Sequence, residues 1–101
     1  MVYTSGQIPV NPADGSVPAS IEEQATQSLN NVKAVLKAAG ASMDDVIKTT
    51  VFIQNMDDFA KINSVYAAYF AGPILPARSC VEVAKLPKGV LIEIEAIAVK
   101  R

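Results

Sequence analysis

The 101-residue chain predicts one α+β domain, residues 1–101, with its elements in the order βαβαββ. Three observations carry that expectation. Four segments alternate apolar and polar residues with the period of a strand, and two longer ones step at helical spacing between start and stop signals. No linker, repeat or low-complexity run divides them.

The first strand is "VYTSGQIPV", residues 2–10, with Tyr3, Ser5 and Gln7 on one face; "NPADGS" follows as a turn. The first helix is "SIEEQATQSLNNVKAVLKAAG". Ser20 and Glu23 form a capping box, Gly40 stands at the left-handed C-terminal position, and Ile21, Ala25, Leu29, Val32 and Leu36 line one side. "VIKTTVFIQ", residues 46–54, is the second strand, with Ile47, Thr49, Val51 and Ile53 on its apolar face. Asn55 caps a second helix, "MDDFAKINSVYAAYF", whose stripe is Phe59, Ile62, Tyr66, Tyr69 and Phe70; "AGPILP" ends it. Two strands close the chain, roughly 77–84 and 90–99, joined by "KLPKG" as a hairpin.

Composition excludes several function classes. Nine basic and ten acidic residues are scattered without a basic block, so nothing marks a nucleic-acid partner. No apolar run is long enough for a membrane span, and the expectation is a cytoplasmic protein with no membrane partner. There is no histidine, and Cys80 is the sole cysteine, which removes His-based nucleophilic triads, intrachain disulfides and nearly every zinc site. No phosphate-cradling glycine motif occurs. Any chemistry falls to arginine, carboxylates, hydroxyls, backbone amides and water.

One face of each strand is plainly apolar and suits the two helices. The opposite faces are mixed: Tyr3, Ser5 and Gln7; Lys48, Thr50 and Phe52; Arg78, Cys80 and Glu82; Glu93, Glu95, Ile97 and Val99. A solvated face is more uniformly polar, so the mixed face reads as a subunit interface carrying a few functional groups. In the closing hairpin, the favoured register puts Arg78 opposite Glu95 and Cys80 opposite Glu93. Arg78–Glu95 is then either a structural cross-strand ion pair, worth about 0.2–1 kcal/mol, or part of a site. With no histidine to activate it, Cys80 reads as a small buried hydrophobe rather than a nucleophile. Ser5 and Gly6 read most simply as a strand residue and a bulge point.

"YTSGQIPVNP", "KTTVFI", "PARSCVEVA" and "LPKGVLIEIEAIAV" together resemble the reactive intermediate deaminase family (RidA, formerly YjgF), in the family's order and across essentially the whole chain. The resemblance implies a chorismate-mutase-like mixed sheet with two helices on one face, a homotrimer packed through its sheets, and clefts between subunits. It implies hydrolytic deamination of enamine/imine intermediates (2-aminoacrylate-type 2-imino acids) to 2-keto acids and ammonia, with no metal and no cofactor. Arg78 matches the arginine that clamps the carboxylate of a small-molecule substrate, a role that suits a planar fork. Glu93 matches the carboxylate that positions or deprotonates the attacking water; Ser5, Gly6 and Cys80 match residues lining the cleft. The alternative within the family is a binding or regulatory member that holds a 2-keto acid without turnover. A third reading is an interaction protein using an exposed sheet edge; the family's ribonuclease activity has no support in this charge distribution. Members also carry a further N-terminal segment with "GPYSQA" and a cleft tyrosine. Here Met1 stands just before "VYTSGQ", so the expectation is an open edge beside residues 2–10.

Overall fold

The first helix begins where its cap places it. In a computed structural model, which describes residues 1–100, α1 spans Ile21–Ala38. The Ser20 hydroxyl accepts from the Glu23 amide at 3.1 Å, and Glu22 and Glu23 face the positive end of the helix dipole. At the other end, Gly40 adopts φ +82°, and the Gly40 and Ala41 amides return to the Lys37 and Leu36 carbonyls. That left-handed turn closes the helix as a Schellman motif, which a side chain at position 40 would strain.

The remaining elements are β1 (Val2–Tyr3), β2 (Val46–Ile53), α2 (Phe59–Tyr69), β3 (Ala77–Glu82) and β4 (Ile92–Ala98). Asn55 caps a short 3-10 turn at Met56–Asp58, accepting from the Asp57 amide at 2.9 Å, and the turn runs into α2. The four strands form one mixed sheet in the order β1–β4–β2–β3. Both helices lie on one face. Leu29, Val32 and Leu36 of α1 and Ile62 of α2 are buried with Val51, Ile53, Ile92 and Ile94 beneath them. Truncating a buried leucine in such a core costs about 2–5 kcal/mol.

The closing hairpin is not formed. β3 pairs parallel with β2, and β4 pairs antiparallel with the other side of β2, so β2 separates them. The reason is the crossover through α2, which delivers β3 parallel to β2 on its free edge. The chain then steps over the end of β2. Val83 N–H donates to the Ile53 carbonyl, Gln54 N–H to the Leu91 carbonyl, and the Gln54 side chain to the Ala84 carbonyl.

Two smaller differences matter for the faces. A bulge between Val46 and Lys48 turns Ile47 away from the apolar face, and it is exposed. The first strand also breaks early: after Val2↔Ala98 and Tyr3↔Ile97, pairing resumes only at Gln7↔Ile94. The N-terminal side therefore holds one extra residue, and Ser5–Gly6 form the bulge. No helix of the described residues is long and apolar enough to cross a membrane.

Candidate active site

Arg78 pairs with Thr49, Cys80 with Val51 and Glu82 with Ile53 across the β2–β3 ladder. Thr49, Val51 and Ile53 are buried under the helices, so Arg78, Cys80 and Glu82 share the helix-covered side. This corrects their expected place on the mixed face. The residues of β3 that join that open face are Ser79, opposite Thr50, and Val81, opposite Phe52.

The guanidinium is held by α2. Its Nη1 donates to Asn63 Oδ1, and its carbon lies 4.7 Å from the Tyr66 ring centroid and 5.2 Å from that of Phe59. Both distances are within cation–π range. Tyr66 is itself fixed by a 2.7 Å hydrogen bond between its hydroxyl and Thr49 Oγ1. Burial pushes the Tyr66 phenol up, against smaller opposing effects of Thr49 and Arg78, so it stays neutral. Phe59, Asn63 and Tyr66 follow one another at i, i+4 and i+7, on a single face of α2. Asn63 and Tyr66 were therefore within reach of sequence reasoning as one constellation. The signal was a polar residue set inside an apolar stripe.

Arg78 opens onto a cavity of about 430 Å³ that Asn63, Tyr66, Phe70 and Leu75 also line. Among the described residues no carboxylate forms an ion pair with it. A half-buried, pre-oriented fork at the rim of an apolar cavity can receive a planar anion, and a carboxylate matches it bidentately. Burial pushes the Cys80 thiol up, with Arg78 pulling the other way, which leaves it protonated and a poor nucleophile. Glu82 acts locally. Its Oε1 accepts from the Met56 amide at 2.9 Å and holds the turn before α2. A second groove of about 340 Å³, between residues 6–12 and α1, is lined without a charged side chain.

Glu93 pairs with Phe52 and Glu95 with Thr50, on the open face. The expected Arg78–Glu95 and Cys80–Glu93 juxtapositions are thus absent, because the residues lie on opposite sides of the sheet. Ser5 and Gly6 join the Glu93 side: a Cβ built on Gly6 would overlap Glu93 Oε2. Ser5 is exposed, and both its hydroxyl and its carbonyl accept from the Gln7 side chain. One chain therefore carries two candidate half-sites, a forked cation on one face and a carboxylate beside a bulge on the other.

The model of the family described as Endoribonuclease L-PSP matches residues 1–100. The 2-iminobutanoate/2-iminopropanoate deaminase of Escherichia coli (strain K12) is 59% identical over 103 residues, covering 100% of this chain and 80% of that protein. Among solved structures, the YjgF gene product from E. coli superposes with a TM-score of 0.94 at 58% identity, covering 98% of this chain and 80% of that one. E. coli TdcF with bound serine gives 0.95 at 55% identity, with coverage of 98% and 80%.

Proposed function

This chain belongs to the Endoribonuclease L-PSP (RidA/YjgF) family, and on that footing we propose that it is a hydrolytic deaminase of reactive enamine/imine intermediates. The substrates are 2-aminoacrylate-type 2-imino acids, and the products are 2-keto acids and ammonia. The observation that carries the reading is the Arg78 fork, braced by Asn63 and two aromatic rings at a cavity mouth, with no carboxylate paired to it among the described residues.

The chemistry follows from the two half-sites. Arg78 holds the substrate carboxylate and so fixes the imine carbon beside it. Glu93 takes a proton from water as the oxygen bonds to that carbon and the C=N π pair moves to nitrogen, which is protonated. The carbinolamine then collapses: its hydroxyl proton is lost, the C=O bond forms, the C–N bond breaks, and ammonia leaves with the proton returned to nitrogen. Water is the only co-reactant.

Arg78 and Glu93 act together when they come from different copies. A homotrimer with three clefts does this, each cleft taking Arg78 and Cys80 from one subunit and Glu93, Ser5 and Gly6 from the next. The open face supports such an assembly: Tyr3 and Val81 are exposed there beside Phe52 and Ile97, and apolar area of this kind marks an interaction surface. The proposed setting is the cytoplasm.

The second reading, a member that holds a 2-keto acid without turnover, uses the same arginine; that E. coli TdcF was solved with bound serine supports a small amino-acid-like ligand for this family. Release of ammonia and keto acid from 2-aminoacrylate generated in situ separates the two. A deaminase accelerates release, and Glu93→Gln slows it by about 10²–10⁴-fold while leaving keto-acid binding nearly intact. Binding without acceleration by the unmutated protein establishes the binder.

A further inference from the structure

Gly6 raises a question that its backbone does not answer. The glycines with positive φ are Gly15, Gly40 and Gly89, so a left-handed conformation explains those three and not Gly6. An alanine fits the backbone there. What it meets is a side chain: the added Cβ overlaps Glu93 Oε2 and falls 2.7 Å from its Cδ and 3.1 Å from its Cγ.

The backbone around Gly6 has no freedom to retreat. On one side, Thr4 N–H donates to the Ala96 carbonyl at 2.9 Å, and Ala96 N–H donates to Thr4 Oγ1 at 3.0 Å. On the other, Gln7 and Ile94 exchange backbone hydrogen bonds of 2.7 and 3.1 Å. The bulge is thus clamped to β4 at both ends, directly over the strand that carries Glu93. The carboxylate is the movable party, since among the described residues it has no hydrogen bond or ion pair to hold it. With Cγ also too close, relief takes a rotation of the Glu93 side chain rather than a small shift.

We propose that Gly6 is a positioning residue, whose missing side chain is the seat of the Glu93 carboxylate. The clamped bulge sets the floor, and the space where a Cβ would stand keeps open the rotamer in which the carboxylate lies against the backbone; a Cβ there closes it. This rests on the deaminase reading for its use in catalysis; the seat itself is a property of the fold.

Two arms test it. In the stability arm, Gly6→Ala changes the denaturation midpoint less favourably with Glu93 present than without it, because the glutamate side chain must rotate away. In a Glu93→Ala background, with the carboxylate gone, the same change is neutral or raises the midpoint, because alanine restricts the unfolded chain. Equal effects in both backgrounds overturn the proposal, as does failure of Gly6→Ala to fold even with Glu93→Ala. In the rate arm, Gly6→Ala lowers kcat by about a hundredfold, the cost of an ångström-scale misplacement, with KM changed far less. Adding it to Glu93→Gln then costs nothing more. Independent, multiplying losses in kcat overturn the positioning role and make Gly6 a direct substrate contact. An unmutated protein without deaminase activity refutes the function, and the stability arm still decides whether the seat exists.

Discussion

Arg78 and Glu93 lie on opposite faces of one four-stranded sheet, Arg78 beside Thr49 under α2 and Glu93 beside Phe52 on the uncovered side. The register of β2 enforces this, since Thr49 and Phe52 are three residues apart on an alternating strand. The arginine's own surroundings give the first prediction.

Arg78→Lys should weaken binding of pyruvate or 2-ketobutyrate by about thirty-fold to several-thousand-fold, the range for losing a desolvated charge-assisted pair of about 2–5 kcal/mol. Lysine keeps the charge and loses the fork, the Asn63 bond geometry and the seat of the guanidinium carbon over the Tyr66 ring. Asn63→Ala, which frees the guanidinium without removing it, should cost about tenfold. Calorimetric titration checks both; affinities within about twofold of the unmutated protein would make Arg78 a structural residue of the β3–α2 contact.

A buried polar atom gives the second. Ser28 is fully buried within α1, and its hydroxyl has no hydrogen-bond partner among the described residues. Ser28→Ala removes an unsatisfied group and improves helix propensity, so it should stabilise by about 1 kcal/mol, or about 4–8 °C in Tm for a domain of this size. A comparable loss would show that the hydroxyl is bonded in solution.

The pH dependence of stability has a definite sign on the alkaline side. Burial raises both the Cys80 thiol and the Tyr66 phenol, so the native state holds those protons more tightly than the unfolded chain does. Their contribution is complete below the ordinary thiol range, about pH 8, and is lost as pH rises, Cys80 first and Tyr66 after it. Urea midpoints should therefore fall between about pH 8 and 9.5, and Cys80→Ala should flatten the first part of the fall. A midpoint that rises over that interval would contradict the assignment.

Legibility in the sequence divides along a physical line. Signals that act within a few residues were readable: the Ser20–Glu23 cap, the Gly40 stop, the Asn55 cap and the extra residue at Ser5–Gly6. Strand adjacency was not. Alternation in "PARSCVEVA" and "VLIEIEAIAV" identifies two strands without saying what lies between them, and the crossover that seats β3 beyond β2 involves residues far apart in the chain. The expected face of Arg78 depended on that adjacency and changed with it. On the side of β3 opposite Arg78 and Cys80, Val81 is exposed, and the half-buried positions of the strand are Arg78 and Cys80 themselves. Asn63 shows in the sequence as a polar break in the α2 stripe, but the arginine that it braces is brought to it only by the fold.

A working cleft that takes its arginine and its glutamate from different copies can be rebuilt from two defective ones, so subunit complementation is the decisive experiment. Arg78→Ala and Glu93→Gln proteins, each nearly inactive alone, are unfolded together, refolded and assayed for ammonia release from 2-aminoacrylate. In a cyclic assembly with random mixing, about a quarter of the clefts pair an intact Arg78 with an intact Glu93, so the mixture should regain about a quarter of the unmutated activity. Activity that stays at the sum of the two parents, with mixed assemblies confirmed by mass spectrometry, would contradict the shared cleft.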